Sequence, residues 1–259
     1  MAAPVVETIV RDGWRFRSGN REQFDRIWQD VAEGLEYDMG DLGPMSVIVD
    51  AGAHVGVASH WFARRYPDAL VLAFEANPAT FALLRANLAA NGLASRVRPF
   101  PVAVGPRTEP VTFYATPGDN WGDAAIQHAW HDDAIQRLSV PAVALADLLD
   151  EPVDLLKLDI EGIETEALVA AAESLRRVRR IVLEFHGTRA NPGNRLEVVL
   201  ATLRDAGFET RVEQDGRPVA PRNVRRDDPF WVIVRGWRDG DGWAPAAERP
   251  RRGPFGIFR

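Results

Sequence analysis

One stretch constrains this chain more than any other: Val47-Ile48-Val49 running into Asp50-Ala51-Gly52-Ala53-His54-Val55-Gly56. An apolar run meets an acid, then two glycines, then helix-compatible sequence through Phe62. That order predicts a buried parallel strand, a tight turn and the start of a helix, the arrangement that brings backbone against a nucleotide-like ligand. Glycine is needed there because a Cβ would block close approach and forbid the left-handed dihedrals of the turn. A dinucleotide fingerprint would also require glycines at 54 and 57, where His54 and Val57 stand. A dehydrogenase reading therefore loses its middle glycine. Further on, Ala69-Leu70-Val71-Leu72-Ala73-Phe74 ends at Glu75, and an acid at the tip of a second strand can accept both hydroxyls of a ribose.

Around this stretch the chain divides into three. Residues 1–46 form a preface: Thr8–Val10 and Gly13–Arg17 alternate as a hairpin, and Phe24, Ile27, Trp28 and Val31 share one face of a helix over 21–33. Residues 47–236 alternate strands and helices, which implies a mostly parallel sheet with helices on both faces. Its strands are 47–50, 69–74, 97–104, 153–158 and 180–186, with an added strand at 111–114 and a closing antiparallel pair at 208–213 and 229–235. Asn77-Pro78 opens a helix as cap and first residue, and Phe81, Leu84 and Leu88 form its buried stripe. Residues 237–259 are rich in Gly, Pro and Arg and read as an irregular tail. The segment 116–137 has little periodicity and reads as a functional loop.

Composition narrows the function classes. With 46% apolar residues the chain can bury a sizeable core, and its net charge of −6 argues against general nucleic-acid binding. No cysteine is present, which excludes disulfides, thiolate metal sites and a cysteine nucleophile and fits the cytoplasm. No apolar run approaches the roughly 20 residues of a membrane span, and no secretory signal opens the sequence. The arginine clusters at 176–180, 222–226 and 249–252 read as solvated surface.

Ligands of open α/β sheets bind beyond the carboxyl ends of the strands. Four such ends carry polar groups: Asp50, Glu75, Asp159 with Glu161, and Glu184 with His186. Several carboxylates and one imidazole on a single rim require a compensating positive charge. His186 is a candidate general base, oriented by Glu184 or Asp159, since imidazole titrates near neutral pH. The competing reading is a histidine that caps a buried carboxylate. Asp159, Glu161 and His186 form a candidate Mg²⁺ set, although the same acids could serve the N-terminus of the next helix. Trp121 and His128 in the 116–137 loop are candidates for acceptor binding. For His128 and His131 a solvated loop is the commoner outcome.

Taken together, Asp50–Gly56, Glu75 with Asn77-Pro78, Ala103-Val104, Leu156-Lys157-Leu158-Asp159-Ile160-Glu161-Gly162-Ile163-Glu164 and Leu183-Glu184-Phe185-His186 resemble the successive blocks of the FkbM family of S-adenosylmethionine (SAM) methyltransferases. The likeness spans roughly residues 8–210. It implies a Rossmann-like class I methyltransferase fold with a seven-stranded sheet, and O-methylation of a hydroxyl on a sugar or natural product. By position, Asp50, Gly52, Ala53, His54, Gly56, Glu75 and Ala76 would lie at SAM, Ala103 near the adenine, and Asp159 at the methionine end or reaction centre. His54 departs from the family's usual Asn, and Ala76 from its usual Pro. The expected partner is a small-molecule hydroxyl acceptor, with no nucleic acid or membrane and a homodimer left open. The alternatives are N-methylation of a small molecule and a SAM-binding module without catalysis. Nucleic-acid amino methylation would instead call for an N/D-P-P-aromatic block after the fourth core strand.

Overall fold

The structure, a computed structural model, describes residues 6–34, 36–40, 43–116, 119–124 and 136–238, with backbone alone at 116 and 119–124. In chain order the elements are β1 (Glu7–Arg11), β2 (Trp14–Ser18), α1 (Arg21–Trp28), β3 (Val47–Ala51), α2 (Val57–Arg65), β4 (Leu70–Phe74), α3 (Pro78–Ala90), β5 (Val97–Phe100), β6 (Ala103–Gly105), β7 (Val111–Thr116), β8 (Asp119–Ala124) and β9 (Gln136–Val140). They continue with β10 (Ala142–Ala144), α4 (Leu145–Leu148), β11 (Val153–Leu158), α5 (Glu164–Ala170), β12 (Val178–Gly187), α6 (Leu196–Asp205), β13 (Glu209–Gln214), β14 (Arg217–Pro218) and β15 (Phe230–Trp237).

The main sheet has the order β14-β13-β15-β12-β11-β3-β4-β5. Strands β5, β4, β3, β11 and β12 run parallel, and β15 inserts antiparallel between β12 and β13. There are eight strands where seven were expected, and the extra one is β14, a two-residue strand on the edge. From β3 the chain moves outward to β4 and β5, then returns to the other side of β3 as β11. Strand order therefore reverses at the β3/β11 boundary, where a crevice opens at the carboxyl ends. Both strands are buried throughout, as a sheet covered on two faces requires.

Prolines explain two breaks between strands. The 97–104 strand breaks into β5 and β6 around Pro101, and β9 and β10 are parted at Pro141, since neither residue can donate to a ladder. The pieces beyond the breaks, β6 and β10, pair with each other in parallel and leave the main sheet. The helix expected over 21–33 is α1 followed by a π-helical turn, Gln29–Glu33. Helix α5 is short and is followed by a separate 3₁₀ turn at Ser174–Arg177.

Helix ends follow the sequence signals. The Asn77 side chain accepts from the N–H groups of Ala79 and Thr80, with Pro78 in the first turn, a cap worth about 1 kcal/mol. On α6, Leu196, Val199, Leu200 and Leu203 form one buried stripe, each contributing roughly 1.5–3 kcal/mol. The preface shares the core of one sheet face: Ile9, Phe16, Phe24, Trp28 and Val31 pack with Ile48, Phe62, Leu84 and Val182. Asn87 Nδ2 donates to the carbonyls of Arg17 and Val55, and Arg235 Nη1 donates to Asp38 O (2.7 Å). These bonds seat the preface beside the carboxyl-end crevice. No helix among the described residues is long and apolar enough to cross a membrane.

Candidate active site

At the reversal of strand order lies a cavity of ≈ 480 Å³. One end is built by the first βα turn and the tip of β4. Gly52 adopts φ +81° and His54 φ +51°, a left-handed pair that folds the loop back so that Gly52 N–H and Ala53 N–H both donate to Phe74 O. Asn, Asp and His tolerate that conformation better than other non-glycine residues, so His54 suits its place. The loop also fixes Glu75: His54 N–H donates to Oε2 (2.9 Å) and Asn77 N–H to Oε1 (2.8 Å). Gly52, Ala53, His54, Glu75, Ala76 and Ala103 all line this cavity, with Val102, Val104 and Phe113 as an apolar wall.

Two of the expected cofactor residues, Asp50 and Gly56, are not part of the cavity lining. Asp50 is fully buried, accepts from Ser59 Oγ (2.6 Å) and has Lys157 Nζ at 3.3 Å from Oδ1. Strands β3 and β11 place the two Cα atoms side by side in register. Gly56 caps α2 with φ +95°, and a Cβ there would stand 2.7 Å from Leu84 Cδ1. Its role in the structure is to let α3 pack against the turn.

Lys157 is the centre of a buried network that the sequence reading quoted without assigning a role. Its ammonium donates to Gly52 O (2.5 Å) and pairs with Asp159 Oδ2 at 3.2 Å as well as with Asp50. Burial pulls its pKa down, but Asp159 and Asp50 reverse this and hold it above the ordinary lysine value. The signal was available: a lysine inside Val153-Asp154-Leu155-Leu156-Lys157-Leu158, a strand buried on both faces, must find a carboxylate.

At the other end stands His186. Of its expected orienting partners Glu184 lies beside the ring, and Glu164 joins it. Nδ1 lies 3.1 Å from Glu164 Oε1, while Glu184 Oε1 and Glu161 Oε2 lie on the Nε2 side at 3.6 and 3.5 Å. Glu164 is fully buried and takes Gly162 N–H (3.0 Å) and Asn194 Nδ2; Asn194 also donates to His186 O (2.7 Å). Burial lowers the His186 pKa, yet Glu161, Glu164 and Glu184 outweigh it and hold it well above the usual value. Burial pushes Glu161 up to about 8 against the pull of His186, with Asp159, Glu184 and Glu164 adding to the rise.

The expected metal set also changes. The ligand atoms within 4.8 Å of one another belong to Asp159, Glu184 and His186, so Glu184 replaces Glu161. The preface supplies residues that sequence reasoning missed. Arg26, Asp30, Glu36 and Tyr37 line the cavity, and burial pushes Glu36 up to about 8, with Glu184, Asp30 and Asp159 adding to it. Trp231 on β15, in register opposite His186, lines it too although 55% exposed. Trp121 falls on β8, whose side chains are not described, and His128 and His131 lie outside the described residues.

An open sheet with this strand order, a glycine turn after its central strand and an acid at the next strand tip defines a class I SAM-dependent methyltransferase fold. The model of the methyltransferase FkbM domain matches residues 50–210, well over half of the sequence, and the chain belongs to that family. Among similar proteins, methyltransferase sdnD of Sordaria araneosa is 28% identical over 234 residues, 78% of this chain and 89% of its own. The 31-O-demethyl-FK506 methyltransferase FkbM of Streptomyces tacrolimicus is 28% identical over 211 residues, covering 68% and 77%. The 2-O-methyltransferase NoeI of Sinorhizobium fredii is 29% identical over 160 residues, covering 55% and 64%. The protein is a methyltransferase.

Proposed function

We propose that this enzyme uses SAM to methylate a hydroxyl of a small-molecule acceptor, a sugar or natural product. The observation that carries the cofactor reading is Glu75. Its carboxylate is fixed by one backbone N–H on each oxygen and lines the cavity beside the glycine turn, which puts a hydrogen-bond acceptor where a ribose hydroxyl would lie. The apolar wall of Val102, Ala103, Val104 and Phe113 suits an adenine, and the carboxylates beyond it suit a cation. SAM, when bound, supplies a methyl group on a sulfonium, an electrophile that needs a positioned nucleophile more than an activated one.

Direction toward oxygen rests on the relatives named for O-methylation and on the groups around His186. A hydroxyl loses its proton as it is methylated, and Asp159, Glu161, Glu184 and His186 all line the cavity to handle it. His186 and the carboxylates beside it at 3.5 and 3.6 Å form one group through which that proton can pass. Glu164 fixes the ring throughout. Calorimetry with S-adenosylhomocysteine, followed by radiolabelled methyl transfer to a panel of sugar and polyketide alcohols, tests the reading. Micromolar binding that Glu75→Ala weakens by about tenfold or more is expected, on the scale of one lost charge-assisted pair. Absence of binding, or binding indifferent to Glu75→Ala, removes the proposal.

A further inference from the structure

His186 is built differently from a histidine that only caps an acid. It is 7% exposed and clamped from behind at two points, Nδ1 by Glu164 and its backbone carbonyl by Asn194. The clamp is itself fixed, since Glu164 also takes Gly162 N–H. Nε2 faces the other way, toward Glu161 and Glu184. A carboxylate on one ring nitrogen and oxygen ligands beyond the other is how proteins orient metal-binding imidazoles.

Two further observations point the same way. Asp159 Oδ1 is shielded from solvent and has no hydrogen-bond partner among the described residues, while Oδ2 is held by Lys157. Around this corner stand Asp159, Glu164 and Glu184 against His186 and a Lys157 already shared with Asp50. A dication would offset that excess. The ligand atoms of Asp159, Glu184 and His186 lie within 4.8 Å of one another. Donors about 2.0–2.2 Å from a common ion at angles of 90–120° are about 2.8–3.8 Å apart, so side-chain adjustment on the order of an ångström closes the set.

We propose that Asp159, Glu184 and His186 bind one divalent first-row metal ion, with Glu164 as the positioning residue for the imidazole. One nitrogen among oxygens, in a chain without cysteine, favours Mn²⁺ or a later first-row ion over Mg²⁺. The use of the ion, polarising the acceptor hydroxyl while its proton passes to a carboxylate such as Glu161, rests on the O-methyl-transfer reading; the binding site does not.

The test uses the full chain, stripped with chelator and desalted, and titrated with MnCl₂ while free Mn²⁺ is followed by electron paramagnetic resonance. One Mn²⁺ per chain is expected, bound about tenfold or more tighter than Mg²⁺ in competition, with a ¹⁴N coupling in the pulsed spectrum. His186→Gln should remove that coupling, and Glu164→Gln should weaken binding about 10–100-fold. Glu184→Gln gives a second variant if either of these misfolds, with S-adenosylhomocysteine affinity reporting the intact fold. Weak, multiple Mn²⁺ sites indifferent to these substitutions, or a single site without nitrogen coupling, overturn the metal site. A chain that binds S-adenosylhomocysteine but no Mn²⁺ loses this inference and keeps the proposed function. One that binds Mn²⁺ but no S-adenosylhomocysteine does the reverse.

Discussion

Gly52 passes so close to Asp159 that a Cβ on it would stand 1.8 Å from the Asp159 carbonyl oxygen. The glycine-turn end of the cavity and the His186 end are thus joined through two loops in backbone contact, one after β3 and one after β11. Gly52→Ala cannot be absorbed by a side-chain rotation, because the obstacle is main chain, and the φ of +81° is unfavourable for alanine as well. A loss of at least about 3 kcal/mol in urea unfolding is expected, together with loss of S-adenosylhomocysteine binding. Wild-type stability in this variant would show that the two loops separate freely.

The same junction contains Lys157, whose ammonium serves Asp50, Asp159 and the carbonyl of Gly52. Lys157→Met leaves two carboxylates without their cation in the interior, at a cost of about 3–5 kcal/mol. Asp50→Asn in the same chain removes one of the stranded charges, so the double variant should be more stable than the sum of the single losses implies. Chemical denaturation of the three variants measures this coupling. Strict additivity would mean that Asp50 and Lys157 do not depend on one another.

Much of this site was legible in the sequence for a physical reason: in a parallel sheet the strand ends are where polar residues interrupt apolar runs. Glu75, Asp159, Glu184 and His186 were found that way, and all four reach the cavity. Asp50 follows the same pattern but is buried away from the cavity lining, because a strand-end acid can turn toward a neighbouring strand's lysine as readily as toward a ligand. Glu164 stood in a quoted block, yet only the turn through Glu161 (φ +56°) and Gly162 (φ +103°) brings it back under His186. The preface residues Glu36 and Tyr37 carry no periodic signal, and their place depends on long-range contacts such as Arg235 with Asp38.

Trp231 sits opposite His186 across the β12–β15 ladder and lines the cavity while more than half exposed. A rigid indole on a strand offers an apolar face to a ring-bearing acceptor without losing much conformational freedom. Trp231→Ala is expected to raise the acceptor's KM about fivefold to tenfold and leave S-adenosylhomocysteine affinity within about twofold, the scale of one aromatic contact. An equal loss of affinity for both ligands would place the residue in the framework instead.

His60 yields the clearest pH dependence. Its Nδ1 lies 2.6 Å from Gly56 O and its Nε2 2.9 Å from Asn91 Nδ2, so the neutral ring donating from Nδ1 satisfies both partners. Trp14 and Phe16 pack on it with ring centroids at 5.1 and 4.6 Å. Burial lowers its pKa from 6.5 to about 4, the bonds to Gly56 and Asn87 opposing it. Between those two values the unfolded chain binds a proton that the folded chain refuses. The stabilisation from the neutral ring is therefore complete above about pH 6.5 and is lost as pH falls toward 4, amounting to roughly 3 kcal/mol at most. Carboxylates titrate in the same range, so the measurement is a difference: urea unfolding of the wild type and His60→Gln at several pH values from 7.5 to 4.5. The gap between them should narrow or change sign as acid is added, and parallel curves would assign the acid sensitivity to other groups.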